Sequence, residues 1–200
     1  MIDILTPLGI GLLLIGLFSR LPLNRLSCIS WCRNFVIFGL IVLALIPVSG
    51  FSLFNFLYGI ANFFSIPTVF LLALFALRAN GLPQAALSQH EKLLLASSTF
   101  LIGLVLYPSA IGFMSFDLYA IGYGYPFGLL FAVLILLAFQ QGFQGLGLLY
   151  LLIWLAWLFE MNHSPNGFDY LMDFWLFGWS AIYILNWLIR GRIAWRKKSA

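Results

Sequence analysis

Five carboxylates and one histidine, Asp3, Asp117, Glu160, Asp169, Asp173 and His163, fall in segments free of lysine and arginine. Such groups, held together, can pass protons to and from a hydroxyl, or can hold a divalent cation that clamps a phosphate. Asp117, Glu160, His163 and Asp173 are the candidate catalytic set, as general base, proton shuttle or cation ligands. Tyr119, Tyr123, Tyr125, Asp169 and Tyr170 are the candidate substrate-binding set, because phenols and a carboxylate at one depth suit a sugar or a lipid headgroup.

Glu160 is the most unusual member. It follows an apolar run and so should lie at a helix C-terminus, the negative end of the helix dipole, where an acid is disfavoured. His163, three residues on, would share its face if the helix continued for one more turn, and an imidazolium or a metal ion could compensate the charge. Asp169 and Asp173 have a plainer reading as well. Both should open a helix, where a carboxylate accepts free backbone N–H groups, and Asp3 should do the same at the start of the chain.

The elements that must position these groups are membrane helices. Hydrophobic residues make up 63% and charged residues 8% of the chain, and the mean hydropathy is +1.04, far from a soluble domain with about 25% charged residues. Uncharged runs are continuous from Asn34 to Leu77 and from Leu118 to Phe159, without the alternation of a β-barrel strand. At roughly 20 residues per crossing, the chain predicts a single all-α membrane domain over 1–200 with about seven spans, six to eight being compatible.

The threading runs as follows. Span one covers about Ile4 to Ser19 and span two Asn34 to Ile46. The stretch Phe51 to Leu77 is too long for one untilted crossing, which predicts an interfacial or broken start near Phe51 to Phe63 and a kink at Pro67. Arg78 to Lys92 is a polar loop. Span four covers Leu93 to Gly112, span five Pro126 to Phe139, span six Leu146 to Phe159, and span seven runs from Asp169 or Asp173 to Ile189. Gln140 to Gly145 makes the uncharged turn between spans five and six. All ten lysines and arginines then fall on one side and five of six carboxylates on the other, with Glu91 the exception. The positive-inside rule puts the N-terminus outside, the C-terminus in the cytoplasm, and the acids at the outer face.

The short loops fit a multi-pass protein of a bacterial inner (plasma) membrane. The N-terminus lacks the basic region of a secretory signal, so the first apolar stretch should stay as a span. Cys28 and Cys32 fall near the reducing side, as small buried residues rather than a disulfide or zinc site. The net charge of +4 sits beside the spans and does not suggest a nucleic-acid partner. No Gly-x-Ser-x-Gly, His-Glu-x-x-His or phosphate-binding glycine loop occurs. No ionisable residue falls at the middle of a span, which argues against a proton-driven carrier.

Three functions remain. The first is an enzyme, or the membrane subunit of one, acting on an envelope lipid or lipid-linked glycan at the outer leaflet. The second is a permease or channel for a neutral or weakly polar solute, using groups such as Asn62, Thr68 and Ser97 to Thr99. The third is an accessory protein docking a membrane partner through Trp154, Trp157, Trp175, Trp179 and Trp187 of spans six and seven. Membrane lipid is the partner common to all three.

Overall fold

The computed structural model describes residues 4–20, 30–48, 50, 52–61, 63–81 and 87–198, the side chains at 30–33 and 192–198 excepted. Asp3, Cys28 and the side chain of Cys32 lie outside what is described. The described residues form helices and no strand. These are α1 (Leu5–Phe18), α2 (Ser30–Leu45), α3 (Leu53–Ala61), α4 (Ile66–Ala79), α5 (Gln89–Ala110), α6 (Tyr125–Gln140), α7 (Gln144–Leu158), α8 (Phe168–Leu171) and α9 (Phe174–Lys198), with a 3₁₀ turn over Tyr119–Tyr123.

The expected break in the third apolar stretch is present, as α3 and α4 are separate helices. Pro67 is not a kink. It sits in the first turn of α4, where the missing N–H costs nothing because that donor has no intrahelical acceptor. The turn between α6 and α7 falls at Gln141 to Phe143, where Gly142 takes the left-handed conformation that ends a helix.

The helices are shorter than seven full crossings require. Among the described residues only α5, with 22 residues, is a helix long and apolar enough by length and composition to cross a bilayer. Others, such as α1 and α4 with 14 residues each, span about 21 Å at 1.5 Å per residue, against a hydrocarbon core of about 30 Å. The apolar runs read from the sequence are divided here into a helix plus capped ends and irregular segments.

Three helix pairs carry the packing, α1 with α4, α6 with α7 and α5 with α9. The α1–α4 pair is parallel and close, because Gly9 and Gly16 lie two turns apart on one face and admit the rings of Phe64 and Phe75. A Cβ at either glycine would overlap those rings. The core combines aliphatic residues such as Ile10, Leu95, Leu149 and Ile153 with the mutually tilted rings of Phe127 and Phe131, whose centroids are 4.5 Å apart.

The bundle has two chemically distinct ends. At one, Ser19 bonds Asn80, Arg20 lies 4.5 Å over the Phe75 ring, and Tyr183 of α9 bonds Gln89 at the start of α5. This basic end also carries Arg78 and Lys92. At the other, Ile4 N–H donates to Met161, Ser65 meets Asp173, and Tyr119 meets Asp169. Asp117, Glu160, Asp169 and Asp173 all belong to this acidic end.

Candidate functional site

Two loops build the acidic end, residues 111–124 after α5 and 159–173 between α7 and α9. They are stitched by their own polar groups. Asn166, fully buried, donates from Nδ2 to the Tyr119 carbonyl at 2.8 Å and accepts at Oδ1 from Phe168 N–H at 2.9 Å. Gly167 N–H donates to the Gly122 carbonyl at 2.8 Å. A side chain at Gly122 would collide with the Asn166 amide, so glycine is required by close approach there. Tyr170 is fully buried, and its hydroxyl accepts from Asn162 N–H at 3.0 Å while donating to the Asn162 carbonyl at 3.3 Å.

Beside this scaffold lies a cavity of about 500 Å³. Asp173 stands at its wall with both oxygens in use. Oδ1 accepts from Leu176 N–H at 2.7 Å, capping α9, and Oδ2 accepts from Ser65 N–H at 2.7 Å, capping α4. The carboxylate therefore ties together two helix N-termini, whose positive dipole ends favour its charge. Asp169, in the first turn of α8, accepts the Tyr119 hydroxyl at Oδ2 at 2.6 Å. Burial, then this bond to a carboxylate, pushes the Tyr119 phenol above its ordinary pKa and keeps the donor proton in place. The Tyr170 phenol is raised too, chiefly by burial.

The remaining polar groups come from the 159–173 loop and α5. His163 is exposed, its ring edge-on to Phe63 at 5.7 Å, and Ser164 and Tyr107 flank it along the wall. Asn162 is 1% exposed; its Oδ1 accepts from His163 N–H at 2.7 Å, but Nδ2 has no hydrogen-bond partner among the described residues. Since the backbone donor fixes which side of the amide is oxygen, the free group is an N–H₂. A buried donor left unmade costs about 1–3 kcal/mol, and this one is closed off from solvent, so Asn162 lines the cavity without presenting that N–H₂ at its surface. Apolar residues of α3, of the segment before α4 and of α9, among them Ile60, Phe63 and Trp175, complete the lining.

The structure thus brings His163 and Asp173 of the candidate catalytic set to one cavity, joined by Asp169 of the binding set. Asp117 and Glu160 do not line it. Asp117 is exposed and accepts the N–H of Tyr119 at 2.9 Å, so it shapes its own turn. Glu160 differs from expectation because α7 stops at Leu158. Glu160 N–H bonds the Trp157 carbonyl and Met161 N–H the Ala156 carbonyl, with Glu160 itself left-handed at φ 50°. Glu160 and His163 consequently do not share a helical face. Tyr119 and Tyr170 belong to the scaffold, whereas Tyr123 and the 91% exposed Tyr125 face outward.

Asn162 and Tyr107 are the functional candidates to which sequence reasoning gave no role. Tyr107 had a usable signal, being a phenol near the outer end of span four at the depth used to select Tyr119. Among the described residues no group of three or more His, Cys, Asp or Glu is placed to hold a metal ion, so a cation site at this end has no ready ligand set. No lysine or arginine lines the cavity. The arrangement favours a neutral, hydroxyl-rich or cationic group, since the carboxylates of Asp169 and Asp173 accept its donors.

Comparison with known proteins adds no assignment. The chain matches no known protein family, and neither the characterised proteins nor the solved structures show a significant similarity to it.

Proposed function

We propose that the chain is a multi-pass membrane protein whose acidic end faces outward and binds the uncharged, hydroxylated headgroup of an envelope lipid or lipid-linked glycan, as an enzyme or enzyme subunit. The observation that carries this reading is the cavity whose wall brings together His163, Asp169 and Asp173. His163 is the group free to take a proton from a headgroup hydroxyl or from water. Asp173 and Asp169, fixed by their helix and phenol partners, orient hydroxyls around it.

Two further observations support the membrane setting. Leu8, Phe38, Leu101, Leu129, Leu136, Leu148 and Ile182 are all exposed at mid-helix, which a soluble monomer rarely tolerates over so large a surface. The division into an acidic and a basic end supports the seven-span orientation with the N-terminus outside. The short helices then reach the full thickness with help from their capped ends and from the loop scaffold at the acidic end.

The permease reading receives less support. Ser97 and Ser98, which would line its path, donate to the Leu93 and Leu95 carbonyls of their own helix.

Two measurements test the proposal. Cysteines placed at 163 and 85 should react and resist, respectively, with an impermeant reagent on intact cells, and the reverse pattern would remove the orientation. Purified protein should retain a monoglycosyl diacylglycerol from mixed vesicles in preference to phosphatidylglycerol, and His163→Ala should abolish any turnover of the glycolipid. Equal retention of both lipids would remove the headgroup assignment.

A further inference from the structure

The headgroup cavity adjoins two further, apolar spaces. A second space of about 190 Å³ lies between α1, α3 and α4, and Ile60, Ala61 and Trp175 line both. Its other walls, including Ile10, Leu57 and Phe64, are apolar, and the one hydroxyl present, Thr68, accepts from Ser65 Oγ at 3.2 Å. A third space of about 290 Å³ continues along α4 and α9, sharing Thr68, Leu72 and Trp175 and adding Phe75 and Trp179. From Ser65 to Phe75, α4 advances about 15 Å, so the sequence of spaces runs from the acidic end well into the bundle.

Trp175 lines all three spaces. Its indole N–H donates to the Ala61 carbonyl at 3.2 Å, holding α9 against the end of α3 and spending its only polar atom. The wall it turns toward the inner spaces is hydrocarbon. Polarity therefore falls in one direction, from carboxylates, amide and imidazole to aliphatic side chains.

We infer that these adjoining spaces together seat one amphiphile, with its hydroxylated headgroup in the acidic cavity and a single acyl chain along the α4–α9 groove past Trp175. The inference rests on the headgroup reading above and names the part of the ligand that the reading leaves open. The occupant follows from the geometry. A space of 190 Å³ admits a linear chain but not a partner helix about 10 Å wide, and its position against the polar cavity, across Ile60, Ala61 and Trp175, sets tail beside head. Among the described residues its walls hold no unmet polar group, which favours hydrocarbon over a polar solute.

The test uses the full chain held in amphipol and a series of n-alkyl β-glucosides of increasing length, with free glucose and the matching 1-alkanols as partial ligands. Calorimetric affinity should rise about fourfold per added methylene over the first part of the series and then level off when the groove is full. Glucose should bind weakly, and each alkanol more weakly than its glucoside. Leu57→Trp, at a half-buried position that lines the second space and not the headgroup cavity, should flatten the chain-length dependence and leave glucose binding unchanged. Leu72→Phe, deeper in the groove, should shorten the length at which affinity levels off.

Glucose binding with no chain-length dependence, or with both variants silent, would overturn the groove while leaving the headgroup reading intact. Alkanols that match their glucosides, unaffected by His163→Ala, would overturn the single-amphiphile inference and the headgroup reading with it. Failure of glucose and all glucosides to bind would also remove both.

Discussion

Glu91 at the basic end and Asp173 at the acidic end solve the same problem with the same bonds, yet only one of them faces a cavity. Glu91 accepts Ser88 N–H at 2.7 Å through Oε2, within a capping box on α5, and Leu146 N–H at 3.0 Å through Oε1. That second bond caps α7, whose own N-cap residue, Phe143, has no side chain able to do so. Asp173 likewise caps its own helix, α9, and a second one, α4. Each carboxylate is a joint between two positive helix ends. Glu91 is buried at 6% exposure with its partners closed around it, whereas Asp173 is half-buried beside about 500 Å³ of open space. Identical bonding therefore says little about function, and access decides which carboxylate can meet a ligand.

The comparison is broken most forcefully at Glu91. Glu91→Leu leaves the first turns of α5 and α7 without their shared acceptor and should lower unfolding free energy by about 2–4 kcal/mol, the sum of two charged caps. Denaturant titration in detergent micelles reads this directly. A loss below about 0.5 kcal/mol, within the range of an ordinary surface change, would show that the joint is not structural.

Asp173→Asn sharpens the contrast. Asparagine is a good N-cap and keeps an acceptor for one helix, so stability should fall by about 1 kcal/mol. Glucoside affinity should drop about tenfold, because the charge that receives headgroup hydroxyls is gone. If binding survives while stability falls as far as in Glu91→Leu, the two ends are equivalent joints and Asp173 has no part in a site.

Much of this was legible in the residues. Charge-free runs bounded by arginines, prolines and glycines gave helices close to α6 and α7, and the sorting of acids from bases anticipated the two ends of the bundle. The expectation that a carboxylate accepts the free N–H groups at the start of the last helix holds for Asp173, as does the broken start before α4, whereas Asp169 falls in the separate α8 and accepts a phenol instead. The full length of the crossings was not legible, since hydropathy marks where a segment is apolar but not where its backbone leaves the helix. Nor was the composition of the cavity. Which of several acids converge depends on how α4, α8 and α9 meet, and a one-dimensional depth assignment groups Asp117 and Glu160 with Asp173 though their side chains serve other partners. The orphaned Asn162 amide appears only once the loop is folded, because a hydrogen-bond shortfall is a property of three-dimensional neighbours.

Within the acidic end, Tyr119 tests how far the loop scaffold holds the site. Tyr119→Phe removes the donor to Asp169 and should cost about 1 kcal/mol, with a smaller loss of glucoside affinity as Asp169 becomes free to turn. The pH dependence has a definite sign. Because the fold raises the Tyr119 pKa, its contribution is complete below the ordinary tyrosine value of about 10 and declines as pH rises above it. The Phe variant should show a shallower alkaline loss of stability than the parent. Parallel alkaline curves would show that the phenol bond does not support the fold.

The smallest effect is expected at Glu160, and it separates the acidic end from the helix ends opposite. Gly81 and Gly142 close α4 and α6 at the basic end, and Gly112 closes α5 at the acidic end, all with positive φ. Glu160 does the same work for α7 with a side chain that disfavours it by about 1–2 kcal/mol. Part of that cost returns as unfolded-chain entropy in a glycine variant, so Glu160→Gly should stabilise the protein by at most about 1 kcal/mol. Thermal unfolding of the two proteins checks this. If stability rises and glycolipid binding and turnover are unchanged, the exposed carboxylate is a tolerated cap residue and the acid chemistry belongs to the cavity alone. If stability rises while turnover falls, Glu160 acts at the mouth of the site despite standing outside its walls, and the strain is retained for that purpose.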